Sequence, residues 1–468
     1  MIGEGGLSGG GLGAYRGIDW GRYGAAPMML LAAVALVDSI DRGILSGALT
    51  PVKDALHFSD FELGTLASAS VVATLMLTVP GGYLSDRRRR TWIIAAVLAG
   101  WAVVSGVTAL VRNYVEFLGV RAALGMGDAV NSPAARSLMA DYYPPDRRAR
   151  AYAVQSVSPV LGSALGTGLG GAVAGTLGWR WAFLIIGVPG SLLALRIRRM
   201  PEPARGASDR LVTGGAPLGP STSAAPPVTP AEARPEKAIR SAPGEMARDV
   251  RAVLRIRTLV ALVIGLGIAA GSLAGIGFWA PSYYQRVSGL STAQSAGVAA
   301  LLILVGAIGG TLLGGVVVDR LRRRVKAAAM LWAAVSQASG ALFLFISLLP
   351  VPVLFVRVPL QVIAVLFLVA GIPGLAAMTS EILPAARRAM GFSVTTILSG
   401  VLSAITPPLV GAIADSFPVM VHHKAVGNLT IAFMATLPLV LVGSFVVFFG
   451  RRYAEADMAA AASGEPRT

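Results

Sequence analysis

The 468-residue chain contains no cysteine, which excludes disulfides, thiolate metal sites and a cysteine nucleophile. Histidine occurs three times, and lysine only at Lys53, Lys237, Lys326 and Lys424. No lysine follows a glycine, so the phosphate loop Gly-x-x-x-x-Gly-Lys-Ser/Thr is absent, and an ATP-driven pump is excluded with it. Three histidines without cysteine supply no metal or nucleophile constellation; the expectation is no enzyme, no metal and no cofactor. Charge is also scarce. Only 14% of residues are charged against 54% hydrophobic, far outside the averages for a soluble domain, so the class is membrane.

The formal charge of +16 does not point to nucleic acid, because the basic residues sit in short clusters between apolar runs and not on one solvated face. The glycine-rich start, MIGEGGLSGGGLGAYRGIDW, lacks a basic opening and a small-residue cleavage site. No signal peptide is expected, and the first membrane helix serves for targeting.

A helix needs about 20 apolar residues to cross a hydrocarbon core of ~30 Å. Twelve such runs can be read, six at 28–49, 62–84, 91–111, 114–139, 149–177 and 181–195. The other six are 258–284, 292–318, 325–349, 351–378, 389–414 and 429–449. The short sixth run is extended by Arg196, Arg198 and Arg199, whose stems snorkel to the interface. The expected fold is all-α, with a cytoplasmic segment 1–27, a six-helix bundle 28–199, a linker 200–257, a second bundle 258–450 and a cytoplasmic tail 451–468. Proline, glycine, alanine and serine make most of the linker a flexible loop. Its end, GEMARDVRAVLRIR, reads equally as an amphipathic surface helix or as plain linker.

Arginine and lysine fall in alternate loops. One set holds Arg87–Arg90, Arg147, Arg148, Arg150, Arg320, Arg322–Arg324, Lys326, Arg387 and Arg388; the other holds at most one cation per loop. The rich set is cytoplasmic by the positive-inside rule, which places both termini inside a plasma (inner) membrane.

Two fragments match across the halves: Gly82-Tyr-Leu-Ser-Asp86-Arg87 and Gly315-Val-Val-Val-Asp319-Arg320. Each follows the second helix of its half, the trace of a carrier built from two repeats. GGYLSDRRRR resembles the loop motif of the major facilitator superfamily, with Gly82, Asp86, Arg87 and Arg90 on its positions and Arg89 where glycine is usual. The resemblance implies a latch between the halves. Asp86 would face the positive end of the eleventh helix, with Asp319, Arg320 and Glu381 in the same cytoplasmic gate. In the fifth run, Gly162, Gly166, Gly168, Gly170 and Gly171 are similar to the family's antiporter motif, with Thr167 in place of its proline; tight helix packing accounts for them equally well.

A charge at the bilayer centre costs at least ~2.5 to 3.5 kcal/mol and is rarely idle. The first run carries Asp38, Asp41 and Arg42, and the fourth carries Arg121, Asp128 and Arg136. Asp38 and Arg42, four apart, share a helix face, as do Arg121 and Asp128, seven apart. Asp38, Asp41 and Asp128 are the proton-coupling candidates; Arg42, Arg121, Arg136 and Arg357 are candidates for the substrate or a charge relay. The fragments DSIDRG, LGMGDAVNSPAARSLMADYYPPDRRARAYAVQ and GWRWAFLIIGVPGSLLALRIRRMPEPARG resemble the Spinster branch of the superfamily, with Asp128 where that branch usually has glutamate. In the second half the expected cavity lining is Trp279, Tyr283, Tyr284, Gln337, Gln361, Thr395, Ser399 and Ser403. His422 and His423 read as a solvated external loop.

The resemblance implies a monomeric secondary carrier working by alternating access, with protons, membrane lipids and an amphipathic lipid-like anion such as a lysophospholipid or sphingoid phosphate as partners. The rival is a proton-coupled drug or organic-anion carrier. A groove open sideways to lipid favours the first, a closed polar pocket the second.

Overall fold

The computed structural model describes residues 23–143, 145–203, 250–251, 253–350, 353–383, 388–421 and 424–463. The first half contains α1 (Ala26–Gly47), the short α2 (Leu49–Leu56), α3 (Asp60–Arg87), α4 (Arg90–Thr108), α5 (Tyr114–Tyr142), α6 (Pro145–Thr176) and α7 (Trp179–Arg198). The second contains α8 (Arg257–Ser288), α9 (Thr292–Leu301), a π-helical stretch Leu302–Ala307, α10 (Ile308–Arg322) and α11 (Ala328–Leu348). It continues with α12 (Leu354–Ala370), α13 (Ile372–Glu381), α14 (Arg388–Ser416), the hairpin β1 (Pro418–Val421) and β2 (Lys424–Gly427), and α15 (Leu429–Ser463). With α9–α10 and α12–α13 each making one crossing, these are the twelve spans of an all-α membrane protein. Among the described residues ten helices are long and apolar enough to cross a bilayer. The other two spans, α1 and α5, are the ones that carry the intramembrane charges.

Helix starts are set locally. Ser59 Oγ accepts from Glu62 N at 3.1 Å while Ser59 N donates to the Glu62 carboxylate at 2.8 Å, a capping box that opens α3. Ser291 and Gln294 repeat it at α9, and Asn113 caps α5 through Glu116 N at 2.9 Å. Large apolar side chains such as Phe355, Leu110, Val115 and Met76 stay exposed on the outside of the helices, where hydrocarbon meets them in place of water.

Three features differ from the sequence expectation. The tenth span is broken between α12 and α13, where Pro373 in the first turn of α13 cannot continue the earlier ladder. The segment expected as a tail from 451 is helical as far as Ser463, because its AEADMAAAAS run is rich in the best helix former. A β-hairpin precedes α15. The sixth span, by contrast, does extend through Arg196 and Arg198 as expected. Of the linker's end, residues 250, 251, 253 and 254 are helical, Arg255 and Ile256 form the turn into α8, and Arg257 begins that helix; residues 244–249 and 252 of the fragment, with His422, His423 and Arg387, lie outside the described residues.

The glycines of the fifth span pack α6 on α1: a Cβ at Gly166 would stand 2.1 Å from Ile40 O, and one at Gly47 would stand 2.2 Å from Thr167 O. The halves meet at the arginine-poor end. Ser46 Oγ on α1 donates to the carbonyls of Gly277 and Phe278 on α8, at 3.1 and 2.9 Å. Ser68 on α3 bonds to Ala404 O on α14, and Gly64 lies against Pro407 and Pro408. On the other flank, Gly171 of α6 lies against Ala296 and Thr292 of α9. Within the second half, α15 lies along α8, and Asp457 on its last turns accepts from Thr258 N at 3.1 Å.

Candidate functional site

The intramembrane charges of α1 and α5 form two adjacent units. Asp41 accepts from Arg121 Nη1 at 2.8 Å and from Ser105 Oγ at 2.9 Å, and both partners of the ion pair have side chains only 2% exposed. The Arg121 guanidinium lies 5.9 Å from the Phe117 ring and 5.5 Å from that of Phe183. Its Nε and Nη2 are buried without a hydrogen-bond partner among the described residues, so this pair is sealed by packing and not by a full set of bonds. The second unit joins Arg42 to Asp38 one turn earlier and, at 3.3 Å, to Asp128 on α5. Here the arginine side chain is 48% exposed and opens into a cavity. The structure thus brings together five of the six charges read from the sequence. Arg136 stays outside, exposed, further along α5.

The cavity, of about 420 Å³, lies between the halves. Among the described residues Arg42 is its one charged lining residue; Ser46, Ser68, Ser163, Thr167 and Ser403 add hydroxyls, and the remaining walls are apolar. A second pocket of about 510 Å³ lies between α3 and α14, lined only by apolar residues that include Phe61, Met76, Val401 and Ile405. Ala404 belongs to both linings.

Of the second-half residues expected to line the cavity, only Ser403 does so. Trp279 is buried and donates to Pro407 O at 3.0 Å, which holds α8 to α14. Tyr284 bonds to Gln361, Tyr283 packs 5.4 Å from the Phe433 ring, and buried Arg357 donates to Ser288 Oγ at 3.0 Å. Thr395 returns its hydroxyl to Gly391 O, and the amide of Gln337 and hydroxyl of Ser399 are buried without a partner among the described residues. Trp279, Tyr283, Tyr284, Gln361 and Arg357 thus meet neighbouring helices of their own half. Helical period fixes a face but not which neighbour it meets.

At the arginine-rich end, Arg87 stacks 4.3 Å from the Tyr83 ring, Asp319 and Arg320 are exposed, and Glu381 pairs with Arg322 at 2.7 Å. The side chain of Asp86 lies outside the described residues. A Cβ at Gly82 or Gly315 would meet nothing within 4 Å. Arg90 is drawn inside its own half, where it bonds to Asp141, to Ser137 Oγ at 2.9 Å and to Glu202, whose carboxylate also takes Arg90 N at 2.8 Å. Sequence reasoning missed Asp141 and Glu202; an acid between two prolines after an arginine run, as in RRMPEP, was the available signal.

Residues 31–357 match the family model described as Major Facilitator Superfamily. The chain is 26% identical over 410 residues to Protein spinster homolog 3 of Danio rerio, covering 83% of this chain and 76% of that one. It is likewise 26% identical over 426 residues to an MFS-type efflux pump of Mycolicibacterium smegmatis, covering 89% of this chain and 90% of that one. Matches to two other spinster proteins span 60% and 38% of their lengths. A bacterial homologue of the human lysosomal transporter Spinster, crystallised inward-facing and unoccupied, superposes with a TM-score of 0.77 over 93% of this chain and 98% of that one, at 21% identity. By the matched family model, the duplicated loop motif and the twelve-span fold, this chain is a multi-pass transporter that belongs to the Major Facilitator Superfamily and resembles its Spinster branch.

Proposed function

We propose that this secondary transporter moves an amphipathic molecule with an anionic head, such as a lysophospholipid or sphingoid phosphate, by proton-coupled alternating access. The observation that carries the reading is the central cavity, whose mostly apolar walls receive a single charged side chain, the half-exposed Arg42. A phosphate head bonds that guanidinium in a charge-assisted pair, and the tail lies against the apolar walls. The wholly apolar pocket beside Ala404 supports a lipid-like tail over a compact polar solute. An amphipathic drug meets the same walls, and one relative is described as an efflux pump, so the assay must separate the two.

Coupling follows from the charge count. Asp38, Asp41 and Asp128 face Arg42 and Arg121, so full ionisation leaves one negative charge uncompensated within the membrane. One proton removes it. Asp41 and Asp128 compete for the two arginines, and in the arrangement present Arg121 holds Asp41 while Arg42 holds Asp128 and Asp38. The exchange centres on Arg42, because of the two guanidiniums it is the one that lines the cavity, while Arg121 is buried. A substrate head arriving there displaces a carboxylate, which takes up a proton, and reversal on the other face releases it. The arginine-rich face is cytoplasmic, which places both termini and the linker 200–257 inside the plasma (inner) membrane.

The test is uptake of labelled lysophospholipid into proteoliposomes under an imposed pH gradient. Movement that collapses with the gradient is the expected result. If neither lysolipids nor sphingoid phosphates move while a small hydrophilic solute or an amphipathic drug does, the lipid reading is withdrawn.

A further inference from the structure

At the arginine-poor end a second charge cluster crosses between the halves. The Asp60 side chain, at the start of α3, is fully buried, and its carboxylate receives Arg286 of α8 in a bidentate pair, Nη1 at 2.6 Å and Nη2 at 2.7 Å. Lys53, from α2 in Asp60's own half, bonds to the same carboxylate. In the reverse direction, Asp415 at the end of α14 accepts from Asp60 N at 3.1 Å and from Phe61 N at 2.8 Å, placing an anion on the positive end of α3. Arg286 also donates to Gly427 O at 2.9 Å. Asp60 sits in a slot that only glycine leaves open: a Cβ at Gly411 would stand 2.2 Å from Asp60 O, and one at Gly427 would stand 2.2 Å from Asp60 Oδ2.

We propose that Asp60, Arg286 and Asp415 are the gate of the arginine-poor face, a two-way clasp that breaks each time the transporter opens there, and that Lys53 holds Asp60 while it is broken. The partition of charge carries the inference. Closed, two anions and two cations share one site. Opened, Asp60 and Lys53 leave on the first half and Arg286 and Asp415 on the second, so each parting face stays neutral and no carboxylate is stranded. A buried pair that only held the fold together would need neither the spare lysine nor the reciprocal cap. The proposal rests on alternating access and not on the identity of the substrate.

Because the chain lacks cysteine, Ala274→Cys, in the cavity wall, gives a single reactive thiol. An impermeant maleimide is applied to sealed vesicles of each orientation in turn. Asp60→Asn leaves two cations facing each other in the closed state, and labelling from the arginine-poor side rises about tenfold or more. Arg286→Gln raises it less, since Lys53 still satisfies Asp60, and Lys53→Gln does not raise it. Labelling from the arginine-rich side falls in parallel, which distinguishes a shifted equilibrium from an unfolded variant. If Asp60→Asn fails to insert, Arg286→Gln carries the same test. Unchanged rates in both variants, a rise on both sides, or a rise in Lys53→Gln equal to that in Asp60→Asn would overturn the proposal. None of these readouts requires transport of any substrate, so failure of the lipid reading leaves the test intact.

Discussion

Arg121→Ala is the perturbation with the sharpest expected energy. It removes the cation bonded to Asp41 and leaves that carboxylate in a site 2% exposed, with Ser105 Oγ as its remaining described partner. Breaking a buried ion pair from one side costs about 3–5 kcal/mol. We therefore expect a loss of about 4 kcal/mol, the middle of that range, together with the packing of the guanidinium between Phe117 and Phe183. The assay is the thermal midpoint of detergent-purified protein for Arg121→Ala, Asp41→Asn and the double variant. The double variant should recover most of the loss, because the stranded charge is gone. A double variant no more stable than Arg121→Ala would refute the reasoning.

Arg42→Ala should abolish gradient-driven uptake while lowering the thermal midpoint much less than Arg121→Ala, because its side chain is half exposed. Asp128→Asn should likewise uncouple uptake from the pH gradient, measured in proteoliposomes per inserted protein; undiminished coupling would mark the cluster as structural. Gly125→Ala should depress the yield of monodisperse protein, since its Cβ would stand 2.1 Å from Ser70 O, whereas Gly100→Ala, which meets nothing within 4 Å, should not. Glu202→Gln weakens the charge-assisted hold of Arg90 on residue 202, a loss of roughly 1–3 kcal/mol, and limited proteolysis should then cut faster near residue 203.

Legibility followed the range of the physics. Apolar runs and loop arginines are local, and they fixed the spans, the two unusual helices α1 and α5, and the i,i+4 pair of Asp38 and Arg42. Distant pairings carry no such mark. Asp60 meets Arg286 226 positions away, and in the sequence Asp60 is only an acid in the first turn of a capped helix. Gln361 reads from the sequence as cavity lining, yet its partner is Tyr284 of α8, and buried Gln337 does not line the cavity either. The extension of α15 past Phe449 was hidden because hydropathy marks where lipid ends, not where a helix does.

That extension changes what connectivity must do. Through Asp457 the last helix of the second half grips the first turn of α8, and through Arg90 and Glu202 the first half secures its own final residues. The second half thus has its first and last helices tied to each other, the first half has its final residues tied to the start of α4, and neither tie uses a residue of the other half. Two separately translated polypeptides, divided between residues 203 and 250, should find each other in the membrane by the seams α1–α8, α3–α14 and α6–α9 alone, and a permuted chain starting at Arg257 should fold as well as the natural order.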